Sequence, residues 1–292
     1  MLGGASLVKA LLPVTFLLAS ISSVAAHPGV GIFMDGKGNV YYTDLRQVWK
    51  ISPDGARSVA VPNVHTHELY VDPGGNLYGE HLWYEGEATD KWGHRVWRLG
   101  ADGTLVDVIP ARRGFRDDYE DFHFVHDAKG NAYWVDRGDP AIIRRRSPEG
   151  IMTQVARASF QDIRWMTAAA DGTVYLVDLY DLVRVTPDGA ARTVARDLAD
   201  RIWSKLFFRD RHALMGLWTD AQGSVYVANF SGRVVKRVGP DGAVEVVAES
   251  PLPWSPTGGL VAPDGALWIL EYSGGAARVR RIGKDGRDAV FE

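Results

Sequence analysis

Five histidines and a set of six strand-end side chains have the types and spacing that chemistry needs in this 292-residue chain. His65, His67, His123 and His212 each stand just ahead of a segment that reads as a β-strand, and His81 stands just after one. Imidazole is the natural general base and transition-metal ligand near neutral pH. Side chains alternate along an extended strand, so His65 and His67 point the same way. His67 with Glu80 or His81 is the closest pairing the pattern offers, and His67, His123 and His212 are the candidate proton-transfer residues. Each histidine has a competing role as a strand cap or a hydrogen-bond partner of its neighbours.

Asp44, Glu80, Asp136, Asp178, Asn229 and Glu271 follow strand-like segments at one equivalent place. A ring of carboxylate and amide oxygens is what a hard divalent cation such as calcium requires. Glu80, Asp136, Asp178, Asn229 and Glu271 are therefore the candidate metal ligands. The same residue types at a strand end also accept backbone N–H bonds from the next turn, and repetition of the position favours that second role for the ring as a whole.

The elements that position these residues come from an internal repeat. One turn signal precedes a strand rich in Val, Tyr and Trp, as in Asp35-Gly36-Lys37-Gly38-Asn39, Asp72-Pro73-Gly74-Gly75-Asn76 and Asp127-Ala128-Lys129-Gly130-Asn131. It recurs at Asp171-Gly172, Asp220-Ala221-Gln222-Gly223 and Pro263-Asp264-Gly265. A second signal closes the following strand pair, from Pro53-Asp54-Gly55 to Lys284-Asp285-Gly286, and it too occurs six times. Asp-Gly and Asn-Gly tolerate positive φ and suit tight hairpins. Each unit thus reads as four antiparallel strands of about 44 residues, the size of a propeller blade. The expected fold is an all-β, six-bladed β-propeller over residues 27–292. A β-sandwich or open solenoid fits the recurrence of the whole unit less well.

In that fold the innermost strand of each blade lines a channel. The tight turns share one face and the longer connections share the other. Residues before the first strand and after the second then meet at the loop-face mouth, where function usually sits. Two insertions, 83–94 and 202–208, add aromatic residues to that face and suit a lid or a stacking wall.

Residues 1–26 differ from the rest. Lys9 precedes an apolar stretch from Ala10 to Ala19, and Val24-Ala25-Ala26 offers a small-residue cleavage site. This is a secretory signal pattern, with an apolar part too short for a membrane span. A secreted or periplasmic protein without a membrane span after cleavage is expected. The formal charge of −3 and the lack of long basic runs argue against nucleic-acid binding. The absence of cysteine excludes disulfides, thiolate metal sites and cysteine nucleophiles. No Gly-x-Ser-x-Gly elbow, phosphate loop or His-Glu-x-x-His occurs.

Asn39-Val40-Tyr41-Tyr42-Thr43-Asp44 through Ile51-Ser52-Pro53-Asp54-Gly55 resembles NHL-type repeats and the senescence-marker-protein/gluconolactonase-like propellers. Ser224-Val225-Tyr226-Val227-Ala228-Asn229 through Gly239-Pro240-Asp241-Gly242 carries the same likeness, which extends over nearly the whole chain beyond residue 26. The gluconolactonase-like branch implies one divalent cation, often calcium, at the channel mouth. It also implies hydrolysis of lactones or related esters, with the metal polarising the carbonyl. Similar lyases of cyclic-peptide antibiotics imply a histidine base instead. The chain departs from the gluconolactonase pattern at His27-Pro28-Gly29-Val30-Gly31, where that branch places a glutamate. The expectation is an exported, monomeric, divalent-metal-dependent hydrolase or lyase acting on a small-molecule or peptide ligand. The alternative is a non-catalytic propeller that binds a protein, peptide or glycan through its loop face.

Overall fold

Residues 28–114, 122–200 and 212–292 are described by the structure, a computed structural model. The signal-peptide reading therefore lies outside the described residues, as does the insertion 202–208. Among the described residues every regular element is a strand, and the strands form six four-stranded antiparallel sheets. The expected six-bladed all-β propeller is what the chain forms. No described helix is long and apolar enough to cross a membrane.

Blade one holds β1 (Ile32–Met34), β2 (Val40–Thr43), β3 (Val48–Ile51) and β4 (Arg57–Val61). Blade two holds β5 (Leu69–Val71), β6 (Leu77–Tyr84), β7 (Trp92–Leu99) and β8 (Leu105–Arg113). Blade three holds β9 (Val125–His126), β10 (Ala132–Asp136), β11 (Ala141–Arg146) and β12 (Met152–Ala158). Blade four runs from β13 (Ile163–Ala168) through β14 (Val174–Asp178) and β15 (Asp181–Val185) to β16 (Ala191–Ala195). Blade five runs from β17 (Leu214–Thr219) through β18 (Val225–Asn229) and β19 (Val234–Val238) to β20 (Val244–Glu249). Blade six contains β21 (Ser255–Val261), β22 (Leu267–Ser273), β23 (Ala276–Ile282) and β24 (Asp288–Phe291).

The turn chemistry explains why the repeat forms these hairpins. The Asp35 carboxylate accepts the backbone N–H of Lys37 and Asn39, the Asn39 amide and the Tyr41 hydroxyl. Gly38 takes φ 81°, in the left-handed region that a side chain would strain. Asp72 with Asn76 and Tyr78, and Asp127 with Asn131 and Tyr133, repeat the arrangement. Each turn is thus closed by its own blade's side chains.

The core lies between blades, because one blade cannot cover its own faces. Between blades six and one, Val40, Tyr42 and Ile51 pack with Trp268, Leu270 and Val279. Every sheet uses four consecutive strands, so the ring closes without strand exchange. Closure rests on contacts between blades six and one: the Tyr272 hydroxyl donates to the Thr43 carbonyl at 2.7 Å. Gly258 also lies so close to Val30 that a Cβ there would come within 2.2 Å of the Val30 carbonyl oxygen.

The insertion at 83–94 lengthens the β6–β7 hairpin: its two ends are strand, with Tyr84 opposite Trp92 and Trp83 opposite Gly93, and 85–91 form the loop between them. The Tyr84 and Trp92 rings lie 4.8 Å apart, and the Trp83 ring covers Gly93 so closely that a Cβ would reach within 2.1 Å of it. Cross-strand aromatic pairs of this kind stabilise an extended hairpin.

Candidate functional site

The inner strands line a channel of about 300 Å³, with residues contributed by all six blades, among them Glu68, Tyr70, His126, Trp165 and Trp218. On the loop face the connection into β5 meets β6, outside the residues that line this channel. There His67 Nδ1 lies 3.6 Å from Glu80 Oε1, with the His67 and Glu80 side chains 11% and 5% exposed.

The local backbone fixes this pair from several sides. The His67 carbonyl accepts the N–H groups of Val30 and Gly31, which ties it to blade one. Thr66 donates its hydroxyl to the Glu80 carbonyl, and the Trp97 indole N–H donates to the same carbonyl at 2.9 Å. Trp97 fits there because Gly79 lies beneath its ring, where a Cβ would come within 2.1 Å. The Thr43 hydroxyl holds the Thr66 carbonyl at 2.7 Å.

Two further imidazoles flank the pair. His65 meets His67 edge-on with ring centroids 4.7 Å apart. His81 Nδ1 accepts the His65 backbone N–H at 2.9 Å. Burial holds the His65 imidazole below the ordinary histidine range, and the neighbouring His67 ring adds to the effect. Burial and then Arg95 do the same for His81. Both rings favour the neutral, proton-accepting form. Trp83 stacks over His81 with centroids 5.8 Å apart, so the aromatic hairpin rises from the same strand that carries Glu80.

The other candidates have different surroundings. His123 stacks flat on Trp134 at 4.2 Å, in blade three beside blade two. His212 stands half-buried just ahead of β17 in blade five, across the ring from blade two. The three candidate proton-transfer histidines thus stand ahead of the inner strands of blades two, three and five.

The oxygen ring is engaged in local bonding. Asp44 accepts the Arg46 and Gln47 backbone N–H groups and the Trp49 indole N–H. Asp136 pairs with Arg144 at 2.5 Å and accepts the Trp134 indole N–H. Asp178 Oδ1 accepts the backbone N–H of Gln161 and of Asp162, both at 2.7 Å. Asn229 donates to the Leu198 carbonyl and to Asp200, and accepts from Gly232. Glu271, fully buried, accepts from Ser250, Arg278 and Arg280. Among the described residues no three histidine, aspartate or glutamate side chains converge as a metal site needs. Glu80, Asp136, Asp178, Asn229 and Glu271 therefore do not fit a shared calcium ligand set: partners of their own take up their oxygens or hold them apart.

The sequence reading did not single out His126. It lines the channel, stacks on Tyr70 with centroids 3.7 Å apart, and is pushed by burial down to about 4. It occupies the place just before the turn aspartate where the other blades carry Met34, Val71, Ala168, Thr219 and Val261. That break in the repeat is the signal that marks it.

No known family pattern and no curated protein matches the sequence. Solved structures do. A catalytically inactive histidine-to-alanine variant of virginiamycin B lyase from Staphylococcus aureus, solved with quinupristin, aligns with TM-score 0.53 and 14% identity over 90% of this chain and 84% of that one. A gluconolactonase from Xanthomonas campestris aligns with TM-score 0.55 and 14% identity over 86% of this chain and 85% of that one. The calcium-binding protein regucalcin from Agrobacterium tumefaciens aligns with TM-score 0.52 and 17% identity, covering 83% and 81%. At these identities the likeness is one of fold.

Proposed function

We propose that this chain is an exported propeller enzyme that opens an ester or lactone ring with His67 as the base. The observation that carries the reading is the buried contact between His67, just ahead of the inner strand of blade two, and Glu80 on the next strand. A carboxylate on the Nδ1 side fixes the orientation of an imidazole and stabilises its protonated form. The neutral flanking rings of His65 and His81 add no competing positive charge.

Two reactions use such a base. In hydrolysis the imidazole takes a proton from water as the water oxygen attacks the ester carbonyl, and the alkoxide leaves. In elimination it takes the proton from the carbon next to a carbonyl, a carbon–carbon double bond forms, and the ester carboxylate leaves. The solved relatives supply both precedents, a gluconolactonase and a lyase whose histidine-to-alanine variant is inactive. The aromatic hairpin of Trp83, Tyr84 and Trp92 stands beside the mouth and suits an apolar or ring-bearing ligand. The calcium-binding regucalcin neighbour gives the fold a metal-binding precedent, but the oxygen ring here does not fit one cation, and no step is routed through a metal.

The test is to incubate the purified chain with glucono-δ-lactone and with quinupristin and to weigh the products. Hydrolysis adds one water to the ring-opened product, whereas elimination opens the ring without a change of mass. Turnover of either probe supports the reading. Saturable binding at the loop face without turnover of either supports the alternative of a binding propeller.

A further inference from the structure

A second cavity among the described residues lies away from the loop face. It is a cleft of about 730 Å³ on the turn face, between blades one and two. We propose that this cleft is a second binding site, for a small planar aromatic carboxylate, separate from the reaction at His67.

Blades one and two pack through Val48, Val61, Val64, Leu77 and Trp97, and Leu77 also forms part of the cleft wall. The Trp97 indole is pinned in this core by the Glu80 carbonyl. Towards the turns the wall is made by the small Ala60 and by Lys50. In every blade a cation on the third strand lies opposite an aromatic residue on the second. The pairs are Tyr78 with Arg98, Tyr133 with Arg145, Tyr175 with Arg184, Tyr226 with Arg237 and Trp268 with Arg281. Blade one alone carries lysine, with Tyr41 opposite Lys50. Arg237 and Arg281 reach Glu245 and Asp264, but among the described residues Lys50 has no ion-pair partner, nor has the exposed Lys37 on the cleft rim.

The chemistry of the lining follows. Asp35 and Asp127 line the cleft, and each already accepts four hydrogen bonds from its own turn and tyrosine. Asp72 is engaged in the same way by Asn76 and Tyr78. Lys37 and Lys50 bring to the lining two ammonium groups without an ion-pair partner among the described residues, donors that suit an anionic acceptor. Phe33, Tyr70 and Leu99 supply apolar walls for a flat ring. The volume falls within the roughly 300–1,000 Å³ of small-molecule sites.

Titration calorimetry with naphthoate and with its uncharged amide tests the site. Naphthoate is expected to bind saturably and the amide at least about tenfold more weakly, the loss expected for one charged hydrogen bond. Lys50→Met should weaken naphthoate at least about tenfold without moving the amide, and Lys37→Gln, on an exposed turn, provides a second variant that folds regardless. Ala60→Leu fills the cleft and should abolish both while leaving turnover at the loop mouth unchanged. No saturable naphthoate binding, equal binding of acid and amide, or binding unmoved by both lysine variants would overturn the proposal.

Discussion

The hydroxyl of Tyr272 and the carbonyl of Thr43, 229 residues apart in sequence, meet at 2.7 Å and join the last blade to the first. With no exchanged strand to close the ring, this buried bond is one of few polar links across the seam. Tyr272→Phe is expected to destabilise the protein by about 1–2 kcal/mol, the cost of a lost bond and an unsatisfied buried carbonyl. Urea unfolding should show the shift in midpoint. An unchanged midpoint would mean that packing around Gly258 and Val30 closes the ring without it.

Glu271 is the hub of a second device, within blade six and against the end of blade five. It receives Arg278 at 2.7 Å and Arg280 at 3.1 Å, and those arginines reach on to Glu292 and Asp288. Glu271→Ala leaves two guanidinium groups without their buried counter-charge and should cost about 3–5 kcal/mol. Thermal unfolding of the variant measures this directly, and a loss below about 1 kcal/mol would show the cluster to be solvated.

Because the strand-end oxygens already have protein partners, removing divalent cations should leave stability unchanged. The thermal transition of the purified chain is expected to be the same before and after EDTA treatment. A fall on chelation, restored by calcium, would show that these side chains rearrange around an ion.

His126 links stability to pH. Its folded value of about 4 lies below the ordinary histidine value of about 6.5, so the native state resists protonation. Above about 6.5 both states are neutral and the effect is absent. As pH falls from about 6.5 to about 4 the unfolded chain gains the proton and the native state does not, which removes about 3 kcal/mol. His126→Phe keeps the stack on Tyr70 and should flatten this acid limb in urea unfolding at stepped pH. An equally steep limb in the variant would assign the effect to other groups.

The turn signals made the fold legible, because Asp35, Asn39 and Tyr41 carry both the repeat and the bonds that close each hairpin. The His67 and Glu80 pairing was legible for a similar reason: both sit at repeat-defined places on the mouth of one blade. The bonding of the oxygen ring was not. Glu271 finds Arg280 on the neighbouring strand, and Asn229 finds Asp200 on a distant connection, so their partners depend on strand register and side-chain reach. The turn-face cleft was equally hidden. It arises from what Ala60 and Lys50 fail to fill, and unfilled volume leaves no motif.

The most direct test is the second-order rate constant for ring opening by the wild-type chain and by His67→Gln, with thermal unfolding showing both folded. A positioned general base contributes about 10²–10⁴-fold, so His67→Gln should lose at least about 100-fold while Glu80→Gln loses less. Equal rates for wild type and His67→Gln would contradict the assignment of His67 as the base.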